Sequence, residues 1–246
     1  RAQMLASIMS KKVAVSTTHL LVDVPTGAGT KVPTIEDARA YARDLMDLGE
    51  KLGMHVECAI TYADQPVGNA VGPKLEAREC IRILEGERHP ASVIEKACEC
   101  AGIILEMSGI PNGAAKAREI LESGEAHRKF MEIVVAQGGS PDLKADDLKP
   151  GEFSEDVVAV KSGYIHSIRN KDVVAIAKAA GAPNDKGAGL MIYKKKGQRV
   201  EAGETLFTIY ADNEAKLRRA RETAMKYPPM EIEGMLLKRV SSVPVR

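Results

Sequence analysis

The feature that most constrains this chain is an alternation in its first quarter. A short β-branched apolar run is followed by a glycine-rich turn, an amphipathic helix and a second apolar run. Residues 18–24 (Thr-His-Leu-Leu-Val-Asp-Val) read as a strand buried on both faces. They lead into Pro25-Thr26-Gly27-Ala28-Gly29-Thr30-Lys31. Thr34, after Pro33, is placed to cap a helix, with Asp37 as the acidic partner three residues on. Ala38, Tyr41, Ala42, Leu45, Met46 and Leu48 supply that helix's apolar positions, and Gly53 stops it. Residues 55–62 form the second strand. Two such strands joined through a helix predict one crossover unit of a parallel sheet over 18–62. Ligands in such sheets sit at the carboxyl ends of strands, so the loops at 25–31 and 64–69 are predicted to face a pocket.

Helices are predicted over 74–85, 91–108, 112–122 and 125–137, and a Gly/Pro-rich break at 137–151 marks a domain boundary. Beyond it come short β-rich pieces at 156–160, 164–168, 190–193 and 204–210, with helices near 171–180 and 213–226. The expected fold class is α/β, a parallel or mixed sheet with flanking helices. A smaller C-terminal α+β domain of barrel-sandwich type follows. The turn at 196–206 is of a kind common in lipoyl-type sandwich domains, with Lys186 the nearest candidate for a modified lysine. A structural subdomain is the simpler reading of that turn.

Composition narrows the function. Lys and Arg number 35 against 34 Asp and Glu, giving a net charge of +1. No electrostatic footprint for nucleic acid or an anionic membrane is present, and neither is expected as a partner. No apolar stretch reaches the roughly 18 residues of a membrane span, and a cytoplasmic location is expected. The four cysteines, Cys58, Cys80, Cys98 and Cys100, make no disulfide framework and are expected as buried or half-buried free thiols. The histidines lie far apart in sequence with no ligand spacing, so zinc is not expected.

The glycine loop is neither a dinucleotide fingerprint, since Val32 stands where the third glycine belongs, nor a Walker loop. Its N–H groups are candidates to meet an anion, with an ordinary turn as the alternative. Asp23 is either an oriented buried carboxylate or a loop cap. Residues 1–12 place Met4, Leu5, Ile8 and Met9 at helical spacing, with Ser7 and Lys11 one turn apart on the other face, where both can reach one ligand. This stretch reads as the middle or end of a helix, so the sequence is expected to be part of a longer protein.

Four segments occur together in order: Ala6-Ser7-Ile8-Met9-Ser10-Lys11-Lys12, Val22-Asp23-Val24 leading into Gly27-Ala28-Gly29, Gln65 through Gly72, and Glu76-Ala77-Arg78-Glu79. In this order and spacing the chain resembles the thymidine and pyrimidine-nucleoside phosphorylase family, with details similar to its archaeal, nucleotide-using branch. The resemblance implies a pentosyltransferase: phosphate attacks C1′ of the ribose and the base departs. For AMP the products are adenine and ribose 1,5-bisphosphate. It implies substrate contacts from Ser7, Lys11 and Lys31, inorganic phosphate as co-substrate, no organic cofactor and a homo-oligomer. The proton donor and the phosphate-binding loop fall upstream of the segment matching residue 1, so the chain alone is expected to be inactive, with no catalytic residue of its own. The implied domains are 1–12 as the end of a base-contacting helical domain, 13–150 as the second half of the α/β domain, and 151–246 as the C-terminal domain. Some bacterial members hold a metal at positions matching Val67, Ala70 and Glu79. Here Glu79 reads more simply as a helix-surface residue, and no metal is expected. The alternatives are a pyrimidine-nucleoside phosphorylase and a non-catalytic binding or assembly module that uses its C-terminal domain to hold protomers together, although the charged helix at 213–226 reads more simply as a solvated face.

Overall fold

The computed structural model describes residues 2–240. Arg1 and residues 241–246, which belong to the first and last of the expected domains, lie outside the described residues. In chain order the elements are α1 (Ala2–Ala14), β1 (His19–Thr26), α2 (Ile35–Lys51), β2 (His55–Tyr62), β3 (Ala70–Val71), α3 (Pro73–Leu84), α4 (Ala91–Met107), α5 (Gly113–Glu122) and α6 (Glu125–Ala136). After the break follow β4 (Phe153–Val158), β5 (Gly163–Ile168), α7 (Asn170–Ala180), β6 (Gly189–Ile192), β7 (Arg199–Val200), β8 (Thr205–Ala211), α8 (Glu214–Lys226) and β9 (Met230–Glu233). Among the described residues, no helix is long and apolar enough to cross a membrane.

The chain divides into two compact units, one of residues 1–67 and 80–145, the other of 68–79 and 146–246. The sequence alone kept 68–79 with the first part. The structure moves this stretch to the second because Ala70 and Val71 pair antiparallel with Met191 and Leu190 of β6. A strand of two residues has no periodicity to read.

In the first unit β1 and β2 pair in parallel, His19 opposite His55 and Thr26 opposite Tyr62, as the crossover pattern requires. The register also stacks the His19 and His55 rings, with centroids 5.6 Å apart. Histidines distant in sequence are therefore neighbours at the amino ends of the strands. The Thr34 hydroxyl accepts the Asp37 N–H at 3.1 Å and donates to the Asp37 carboxylate at 2.8 Å, fixing the start of α2. Met9 of α1, Val24 of β1, Tyr41 and Leu45 of α2, and Val56 of β2 form one core. β1 is not covered on both faces as expected: Asp23 and Pro25 are exposed while Val24 and Thr26 are buried, the alternation of a strand with one wet side. A second cluster joins Ile94 and Cys98 of α4 to Ala117 of α5. There the helices meet backbone to backbone, since a Cβ at Gly113 would lie 2.0 Å from the Gly102 carbonyl oxygen.

The second unit holds a four-stranded sheet in the order β3-β6-β8-β4 and a three-stranded sheet β7-β5-β9, both antiparallel. Phe207, Leu190, Ile192 and Ile209 of the first sheet, Ile165 of the second and Ile176 of α7 are almost fully enclosed in one core. The mixed α/β part and the antiparallel α+β part match the expected fold class. Cys98 is buried and Cys58 and Cys100 are half-buried, but Cys80 is exposed, against expectation. Burial pushes the Cys58 thiol up to about 11.

Candidate functional site

The crossover unit delivers its loop to a cavity of about 810 Å³ in the first unit, within the size range of small-molecule sites. Ser7 of α1, Asp23 and Pro25 of β1, Lys31 after the glycine turn, and Tyr41 of α2 all line it. Two of the three predicted substrate contacts, Ser7 and Lys31, are thus brought together from separate elements. Lys11 is exposed one turn along α1 and is not among the described residues that line the cavity.

The loop that carries Lys31 is built from within. The Thr30 hydroxyl lies 2.9 Å from the Gly27 carbonyl and 2.8 Å from that of Val32. The Thr30 N–H closes onto Gly27 O at 3.2 Å, and Val32 bridges back to Thr26. Gly27 has φ +152°, and a Cβ there would fall 2.5 Å from the Asp64 carboxylate, so only glycine fits. The expectation that these N–H groups cradle an anion does not hold at residues 28 and 30. The Ala28 N–H donates to Asp64 Oδ1 at 2.7 Å, and the Thr30 N–H is satisfied inside the loop.

Asp64 is a residue that sequence reasoning missed. It sits just past β2 and holds the Lys31 loop from 36 positions away. Its signal was the loop predicted to face the pocket, but no spacing rule identifies the partner. Removing a charged hydrogen-bond partner costs about 1.5–3 kcal/mol where it is well shielded, and less at this half-exposed site. Asp64→Ala in the whole protein is expected to lower kcat/KM roughly ten-fold, whereas Asp64→Asn, which keeps an acceptor, retains most of the activity. Steady-state kinetics on both variants check this, and equal losses in the two would sink it.

Asp23 is oriented but not buried: its carboxylate meets Lys96 of α4 at 2.6 Å and accepts the Thr61 hydroxyl at 2.6 Å. It therefore presents the cavity with a paired, charge-compensated acid.

The three positions named above as metal candidates, Val67, Ala70 and Glu79, are engaged in hydrogen bonds within the chain. Glu79 is half-buried rather than on a helix surface, and its carboxylate accepts the N–H of Asn69 at 2.9 Å and of Ala70 at 3.1 Å. The Val67 carbonyl accepts the Ser92 hydroxyl at 2.7 Å. The Lys195 ammonium donates to the Gly68 carbonyl, and attraction to Lys195 partly offsets the effect of burial on Glu79, which pushes its carboxyl up. A carboxylate facing N–H donors beside a fixed ammonium does not fit a metal ion.

The architecture is that of a small-molecule site at the carboxyl end of a parallel strand pair, joined to an antiparallel α+β unit. Residues 164–230 match the sequence profile of the pyrimidine nucleoside phosphorylase C-terminal domain. Over 97% of its length the chain is 48% identical to the AMP phosphorylase of Methanosarcina mazei, covering 48% of that protein. It is 50% identical to the AMP phosphorylases of Thermococcus kodakarensis, over 98% of the chain, and Pyrococcus abyssi, over 96%, again covering 48% of each. Along almost its whole length the chain is therefore similar to these AMP phosphorylases, and residues 164–230 carry the likeness to the pyrimidine nucleoside phosphorylase C-terminal domain. The chain spans about half the length of these curated relatives and matches their C-terminal part.

Proposed function

We propose that the protein containing this chain phosphorolyses nucleoside 5′-monophosphates, converting AMP and phosphate to adenine and ribose 1,5-bisphosphate, and that this chain supplies the base side of the site. The observation that carries the reading is the convergence of Ser7 and Lys31 on one cavity. The similarity to AMP phosphorylases supports it. When phosphate attacks C1′ the C1′–N bond breaks and its electron pair goes to the base. Donors placed against the base lower the barrier because they bind that charge more tightly in the transition state than in the ground state. The Ser7 hydroxyl and the Lys31 ammonium are such donors, and Lys11 stands one turn along α1 from Ser7. The group that protonates the leaving base and the cradle for phosphate are contributed by residues outside these 246. On this reading the chain alone is inactive and the working enzyme is a cytoplasmic homo-oligomer.

The test is phosphate-dependent release of free base from AMP, CMP and thymidine by the whole protein, measured side by side. Release from the monophosphates with little from thymidine is the expected result. Release from thymidine alone moves the protein to the nucleoside-using branch, and release from none overturns the enzymatic reading.

A further inference from the structure

The turn at 68–70 is gripped from both sides by opposite charges. On one side the Glu79 carboxylate accepts two successive backbone N–H groups, those of Asn69 and Ala70. On the other the Lys195 ammonium, reaching from 127 positions away in the segment after β6, donates to the Gly68 carbonyl. The backbone adds a further tie, with the Ile192 N–H donating to the Asn69 carbonyl at 2.8 Å. Together these order the segment that pairs as β3 with β6. All the residues of this cluster belong to the second unit.

A lysine ammonium is seldom buried, because leaving water disfavours its charge, and here burial lowers Lys195 to about 8 despite the attraction of Glu79. A carbonyl oxygen and a carboxylate at one turn attract a cation, and the protein has two ways to supply one: an ion from solution or a side chain of its own. We propose that Lys195 is that cation in tethered form, a positioning residue whose ammonium takes the place of a bound metal ion at the 68–70 turn. The protein consequently binds no metal there, and the order of 68–71 does not depend on added cations. Deleting the side chain should then create a vacancy that a small monovalent ion can enter.

The experiment uses the whole protein, stripped with a chelator and melted in tetramethylammonium chloride, potassium chloride, ammonium chloride or calcium chloride at equal ionic strength. The native protein is expected to melt at the same temperature in all four. Lys195→Ala is expected to melt lower by roughly 5 °C or more in tetramethylammonium, a cation too large to enter, and to recover at least half of the loss in potassium or ammonium. Lys195→Met, whose side chain fills the space without charge, is expected to fall and not recover. A native protein that gains stability in potassium or calcium overturns the proposal, as does an alanine variant that ignores the choice of cation. Should the variants fail to fold, reductive methylation of the native protein at neutral pH decides. The labelling rate at Lys195 should be the same in potassium and in tetramethylammonium, and a rate that changes with the cation overturns the assignment. None of these readouts depends on catalysis, so a failure here is separable from a failure of the proposed reaction.

Discussion

Lys31→Ala in the whole protein is expected to lower kcat/KM for phosphate-dependent base release by roughly 10²–10³-fold, the usual cost of losing one donor to a developing negative charge. The melting temperature should not move. The reason lies in how the loop is made. Its shape is set by Gly27, by the Thr30 hydroxyl between two carbonyls and by Asp64 on the Ala28 N–H, whereas the Lys31 side chain is exposed at the cavity wall. Removing it therefore changes the charge offered to the substrate and leaves the fold untouched. Ser7→Ala removes a neutral donor and is expected to cost roughly ten-fold. Lys31→Arg keeps the charge on a different geometry and should restore part of the loss. If the alanine variant lost less than about three-fold, or lost only substrate affinity with kcat unchanged, Lys31 would be a binding contact and not a stabiliser of the departing base.

The largest effect on stability is expected at Phe207. This side chain is 1% exposed at the centre of the second unit, between the β6 and β4 strands that flank β8. Its neighbours Leu190, Ile192 and Ile209 are rigidly placed by the sheet, so they cannot collapse into the space a smaller residue leaves. Phe207→Ala is expected to cost about 3–5 kcal/mol, the sum of lost transfer energy and an unfilled cavity. Calorimetry should show the unfolding transition of this unit lowered by roughly 10–20 °C. Phe207→Leu, which keeps most of the volume, should cost less than half as much. A loss under about 1 kcal/mol for alanine would mean that the core repacks around the gap.

What was legible in the sequence was local. The cap at Thr34, the stripe from Ala38 to Leu48 and the stop at Gly53 each act within one helix, and α2 forms between those signals. The strands 55–62 and 18–24 were found by their apolar runs, the latter displaced by two residues at its carboxyl end, because Pro25 and Thr26 continue the pairing with β2. What was not legible is long-range. The strands β3 and β7 are two residues each, and β9 alternates over only four, so none carries a pattern of its own. They exist because a partner strand supplies their hydrogen bonds. The site divides the same way. Ser7 and Lys31 were named from the family resemblance, while the Asp64 hold on Ala28 and the Lys195 hold on Gly68 join residues that no spacing rule connects. Glu79 was named but misjudged, since a glutamate on a helix looks the same in sequence whether it meets water or two backbone N–H groups.

The passage of the chain between its two units at 67/68, 79/80 and 145/146 has a practical corollary for anyone dissecting the protein. Neither unit is a continuous stretch, so no single cut releases the second one whole. A fragment beginning at residue 146 keeps β4 to β9 but forfeits β3, and β6 is left with one row of its backbone N–H and C=O groups open. Such a bare margin invites strand-to-strand association between copies. Aggregation of that fragment would then report the missing two-residue strand rather than any weakness of the core, and grafting residues 68–79 back through a short linker is the direct way to restore it.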